Sequence, residues 1–88
     1  MRIIYCNIQM FSNDQMIYVI DETNGKPIHA IKADINDLPK TICALAGKYE
    51  TNIVKCAGNK QFVLNCAEEI KTVYAMNYFK NDIKVEVI

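Results

Sequence analysis

Seven periodic segments follow one another along this chain: three strand-like runs, then helix, strand, helix, strand. They fill nearly all of the 88 residues, so the order of the elements limits the fold more than any motif does. A chain of this length makes one domain, residues 1–88, and buries only about 60–65% of its unfolded surface. It has apolar material for an economical core, with 51% hydrophobic residues against 23% charged.

Arg2–Phe11 reads as the first strand, with Ile4, Cys6, Ile8 and Met10 on one side and Ile3, Tyr5, Asn7 and Gln9 on the other. Ser12-Asn13-Asp14 is a turn cluster, and Gln15–Glu22 is a second strand rich in β-branched and aromatic residues. Asn24-Gly25 is a strong hairpin signal, because a type I′ turn needs positive φ at both central positions. Pro27–Ala33 is a third strand, and its leading proline suits an edge.

Asp37 is an expected N-cap with Pro39 in the first turn, and the first helix runs to about Tyr49. Ile53–Gly58 is a short apolar strand, as a central parallel strand requires. Asn59 caps a second helix, Lys60 to about Tyr78, and Ile83–Ile88 closes the chain as a strand.

The first three strands form an antiparallel meander, and each later helix crosses over to a parallel strand. Right-handed crossovers then give one mixed five-stranded α/β sheet in the order 3-2-1-4-5, with both helices on one face. This order resembles the ribonuclease H-like fold over the whole chain. Nucleases of that fold hold two metal ions with carboxylates, one on strand one and another near the end of strand four. Here Ile3–Gln9 and Ile53–Gly58 contain no acid. Actin-like kinases of the same fold hold phosphate on a glycine-rich turn between strands one and two. Phe11-Ser12-Asn13-Asp14 has no glycine there. The resemblance therefore implies a domain emptied of both activities, a non-enzymatic protein with no catalytic residue, resident metal or cofactor.

Other features point the same way. Cys6, Cys43, Cys56 and Cys66 are widely spaced and lie in apolar periodic segments, as buried free thiols do. Cys56 near a helix N-terminus is a possible nucleophile, since the helix dipole would lower its pKa. His29, the one histidine, has no partner in sequence for a zinc site. Ten basic and ten acidic residues leave no surplus for a nucleic-acid backbone. The apolar runs are too short to span a membrane, and the start of the sequence has one basic residue, Arg2, and no small-residue cleavage site, so a secretory signal is not expected and a cytoplasmic location is. Abundant Ile, Asn and Lys with a single Arg match an AT-rich genome. The chain resembles small proteins of phages, mobile elements and low-GC Gram-positive bacteria.

Two surfaces remain. With both helices on one side, the other side of the sheet is bare. Hairpins tight at Asn13-Asp14 and Asn24-Gly25 would pair Ile8 with Val19, Tyr18 with Ile31 and Ile20 with His29. They would turn Ile28 and Ala30 toward the helices. The open side would then present Tyr5, Gln9, Phe11, Met16, Tyr18, Ile20, His29 and Ile31. Tyrosine and methionine among amides are typical of interfaces, so protein binding through this face, as a homodimer or through the last strand as an edge, is the leading expectation. The alternative is a small-ligand or nucleotide-phosphate sensor. Gly58, Asn59 and Lys60 join strand four to the second helix, where free backbone N–H groups can hold an anion.

Overall fold

The computed structural model describes residues 1–9 and 11–88. Met10, expected on the helix-facing side of the first strand, lies outside them. The elements are β1 (Arg2–Ile8), β2 (Asp14–Asp21), β3 (Lys26–Asp34), α1 (Leu38–Lys48), β4 (Ile53–Gly58), α2 (Lys60–Tyr78) and β5 (Lys84–Val87). The sheet order is β3-β2-β1-β4-β5, with β1 antiparallel to β2, β2 to β3, and both β1–β4 and β4–β5 parallel. The sequence-derived topology holds.

Strand alternation builds the core. Ile4 and Cys6 of β1, Ile17 and Val19 of β2, and Val54 and Cys56 of β4 are completely shielded from solvent. Above them pack Leu38, Ile42 and Ala46 of α1 and Val63, Ile70 and Tyr74 of α2. Both helices therefore cover the same face and lie against each other. Each fully buried aliphatic side chain contributes about 1.5–3 kcal/mol, so this single layer of contacts holds the domain together. Asn59 caps α2 as expected, its Oδ1 accepting the Phe62 N–H at 3.4 Å. Asp37 precedes α1 but adopts αR geometry and makes no side-chain cap bond. Pro39 carries the start of that helix instead.

Both hairpins differ from the tight turns read in the sequence. β1 ends at Ile8 and β2 starts at Asp14, and Tyr5, not Gln9, faces Tyr18. The wider loop is held by Gln15, whose side chain is buried. Its Oε1 accepts the Gln9 N–H at 2.7 Å, and its Nε2 donates to the carbonyls of Gln9 at 2.9 Å and Ser12 at 2.7 Å. The shift is by an even number of residues, so β1 keeps the expected faces.

The second hairpin has consequences for β3. Its loop runs from Glu22 to Gly25, with Gly25 at φ +70° and its N–H donating to the Asp21 carbonyl at 2.7 Å. Ile20 faces Pro27, but Val19 faces His29, so Ile28 is an extra residue in the edge strand. One extra residue turns every later side chain to the other face. His29 and Ile31 therefore point to the helix side, and Ala30 to the open side, the reverse of the expected arrangement. The His29 ring lies 6.0 Å from that of Tyr49 at the end of α1, which confirms its side.

Candidate functional site

β1 and β4 are adjacent parallel strands, and their carboxyl ends meet where the sheet order reverses. Ile8 stands opposite Gly58 there. Gly58 has φ +132°, and a Cβ at this position would collide with the backbone oxygen of Ile8. Glycine is required twice over, by the backbone conformation and by the close approach. The chain then turns through Asn59 directly into α2, a helix of 19 residues.

Asn59 takes two first-turn donors, the Phe62 N–H through its side chain and the Val63 N–H through its carbonyl. The amides of Lys60 and Gln61 are claimed by neither and project from the positive end of the helix dipole. Lys60 is exposed and adds a full positive charge at the same end. Gly58, Asn59 and Lys60 thus form one compact turn with donors and charge that suit an anion. Across the end of β1, the Gln15-clamped loop carries Phe11 into solvent, 95% exposed. A cleft of about 310 Å³ opens on the helix side of the turn, between Ile8, Leu38, Phe62, Asn65 and Glu69.

The opposite end of the molecule holds a larger cleft of about 500 Å³, lined by Glu50, Thr51, Asn52, Tyr74, Tyr78 and Asp82. It was not foreseen from the sequence. Much of its polar equipment already holds the chain together. Thr51 Oγ1 donates to the Arg2 carbonyl at 2.6 Å, Asn52 Nδ2 to the Asp82 carbonyl at 3.0 Å, and Tyr78 OH to the Cys43 carbonyl at 3.1 Å. Burial, and next a hydrogen bond to Asp82, push the Tyr74 phenol above its usual range. A structural seam between helix ends and strand starts explains these contacts without a ligand.

The four cysteines are all free and buried. Cys6 and Cys56 face each other across β1 and β4. Burial raises the Cys56 thiol to about 11, and burial together with neighbouring thiols raises Cys6 to about 12. The shift is opposite to the activation considered for Cys56 beside a helix N-terminus, because the side chain points into the core rather than toward the dipole. Among the described residues no group of three or more His, Cys, Asp or Glu is placed to hold a metal ion. Likewise, no described helix is long and apolar enough to cross a membrane.

Of the residues expected at a protein interface, Tyr5, Met16, Tyr18 and Ile20 do share the open face, all half-buried. Gln9 and Phe11 belong to the β1–β2 loop, and His29 and Ile31 are on the far side of the sheet.

No protein-family model and no curated protein matches the sequence. Solved structures do. The chain superposes along its whole length on a Ppx/GppA family member from Aquifex aeolicus, with TM-score 0.55 and 16% identity, covering 35% of that chain. It also matches an exopolyphosphatase from Cytophaga hutchinsonii, with TM-score 0.52 and 17% identity over 97% of this chain and 34% of that one. The chain spans about a third of the length of the proteins it matches. At such identity the likeness establishes the fold, with which a ribonuclease H-like topology is compatible. Neither of these two is described as a phage protein.

The likeness corrects one expectation. Missing carboxylates on β1 and β4 had marked the chain as non-enzymatic. They exclude only one plan, two-metal hydrolysis of the nuclease kind. Solved chains that this one matches are described as a Ppx/GppA phosphatase and an exopolyphosphatase, so the absence of that cluster is no ground for setting the chain apart from enzymes.

Proposed function

We propose that the β4–α2 turn binds a phosphate group, and that the chain serves as the phosphate-holding part of a phosphatase-type protein acting on polyphosphate or a nucleotide. The observation that carries this reading is Gly58. Its positive φ and its contact with the Ile8 backbone bring the amides of Lys60 and Gln61 to the carboxyl ends of two parallel strands. Ligands of open α/β sheets bind at that crevice, and helix N-termini there accept phosphate. The fold shared with proteins named as exopolyphosphatases supports the same ligand class.

The test is thermal unfolding with tripolyphosphate, ATP or inorganic phosphate, for the natural chain and for Lys60→Ala. A ligand at about a hundred times its Kd stabilises by about 2.7 kcal/mol. That should raise the melting temperature by about 10–20 °C in a domain of this size. Lys60→Ala, at an exposed position, should leave the ligand-free melting temperature in place and lose most of the shift. No shift with any of these anions, or an equal shift in the variant, would reject the site.

A further inference from the structure

The face of the sheet turned away from α1 and α2 is bare among the described residues, and its charges are not scattered. Tyr5 and Tyr18 stand opposite each other at its centre, with Met16 and Ile20 beside them along β2. One corner, where β2 begins and β3 ends, carries Asp14 directly opposite Asp34, with Lys32 one step along β3. Like charges facing across strands repel, and a single lysine does not balance the two acids. Lys55 and Glu86 continue the central Tyr18–Tyr5 row out to the β5 edge, and Lys84, one step along β5 toward its start, lies on the diagonally opposite corner. Lys55 and Glu86 are 3.9 Å apart, which leaves Lys84 as the unmatched charge. The face therefore has an aromatic centre, one corner with an acid in excess and the opposite corner with a lysine in excess.

We infer that this face is the interface of a homodimer, two copies packed sheet to sheet about a twofold axis. An isologous interface requires one surface to complement itself. Opposite charges at diagonal corners do so when the axis runs along the other diagonal, in the plane between the sheets. Each Lys84 then lies over the partner's acidic corner, and the Tyr5–Tyr18 centre packs on its own copy. Such an axis crosses the two sets of strands at a wide angle, the orthogonal class of sheet packing. A nucleic acid is the poorer occupant, since three lysines and three acids give the face no net charge for a phosphate backbone. The surface is the broad side of a body measuring 31 × 30 × 20 Å. It is separate from the β4–α2 turn and does not depend on phosphate binding there.

Sedimentation velocity from about 5 to about 200 µM, a range that brackets the affinities of modest interfaces, tests the assignment. The natural chain should dimerise. Tyr18→Lys, which puts a charge at the centre, should abolish the dimer, and Lys84→Glu should weaken it at least tenfold. Asp14→Lys combined with Lys84→Glu exchanges the two corners and should recover the dimer, whereas Lys40→Glu, exposed on α1, should change nothing. Circular dichroism checks that each variant is folded. If Tyr18→Lys does not fold, Lys84→Glu on the exposed edge strand decides. A natural chain that stays monomeric, with or without binding to an added oligonucleotide, overturns the inference. A dimer indifferent to Lys84→Glu, or one that the exchanged corners fail to restore, overturns it equally.

Discussion

The two faces of this sheet are made from alternate residues of the same strands, yet they follow different rules. Toward the helices stand Ile4, Cys6, Ile17, Val19, Val54 and Cys56, without solvent contact. Away from them stand Tyr5, Met16, Tyr18, Ile20 and Lys55, all half-buried without a covering layer. Ile17 and Tyr18 are neighbours in the chain and belong to different environments. The covered face excludes water and stabilises. The open face keeps its polar tips and charges toward solvent. Burial and exposure are thus divided by strand parity, and the proposed dimer interface lies on the exposed side.

The largest expected effect comes from alkaline pH, acting through the buried thiols of the covered face. Burial raises Cys43 and Cys56 to about 11, and Cys6 and Cys66 to about 12, from the ordinary 9.0. An ionising thiol whose pKa is higher in the folded state binds its proton more tightly there. Its contribution is complete below pH 9 and is lost as pH rises through the folded values. Stability measured by urea unfolding should therefore hold to about pH 9 and fall steeply toward pH 11–12. Thiol alkylation should be slow below that range and report global opening. Rapid modification of any cysteine at pH 8 would show that the core is looser than its burial implies.

Truncation gives the next contrast. Ile17→Ala opens a cavity in a side chain's full packing shell and should cost about 2–5 kcal/mol. Tyr18→Ala, one residue on, removes a half-exposed ring and should cost about 1 kcal/mol in the monomer. Equal losses in chemical denaturation, measured at concentrations low enough to keep the chain monomeric, would mean the two faces are not energetically distinct.

Gln15 breaks the pattern on the covered side. It shares parity with Ile17 and Val19, and its amide is spent entirely on the β1–β2 loop. Gln15→Ala leaves the Gln9 N–H and two carbonyls without partners and should cost about 1–3 kcal/mol. Proton exchange should rise at Gln9 in particular. A polar residue in an otherwise apolar row was the available sign that this hairpin would not close as a two-residue turn. Topology was legible because it follows from element order and crossover handedness, neither of which depends on exact register. Register was not, because it turns on single residues: Gln15 in the first hairpin and the extra Ile28 in the second. Pro27, which removes a ladder donor beside that bulge, was its only local trace. The site shows the same division. Gly58, Asn59 and Lys60 were readable as a strand-to-helix turn, whereas the close contact between Gly58 and Ile8 joins positions 50 residues apart and appears only in three dimensions.

The smallest effect belongs to the open face itself. Lys55 and Glu86 face each other across the parallel pair β4–β5 at 3.9 Å, with both side chains substantially exposed. Exposed pairs of this kind contribute about 0–1 kcal/mol and are screened by salt. Lys55→Ala should change the monomer's stability by no more than about 0.5 kcal/mol, and raising the salt should narrow even that difference. A larger, salt-insensitive loss would place Lys55 in a desolvated setting. An isolated open face does not provide one, and a second sheet lying over it would. Repeating the measurement at low and high protein concentration separates the two, because only a contact between copies makes the cost of losing Lys55 grow with concentration.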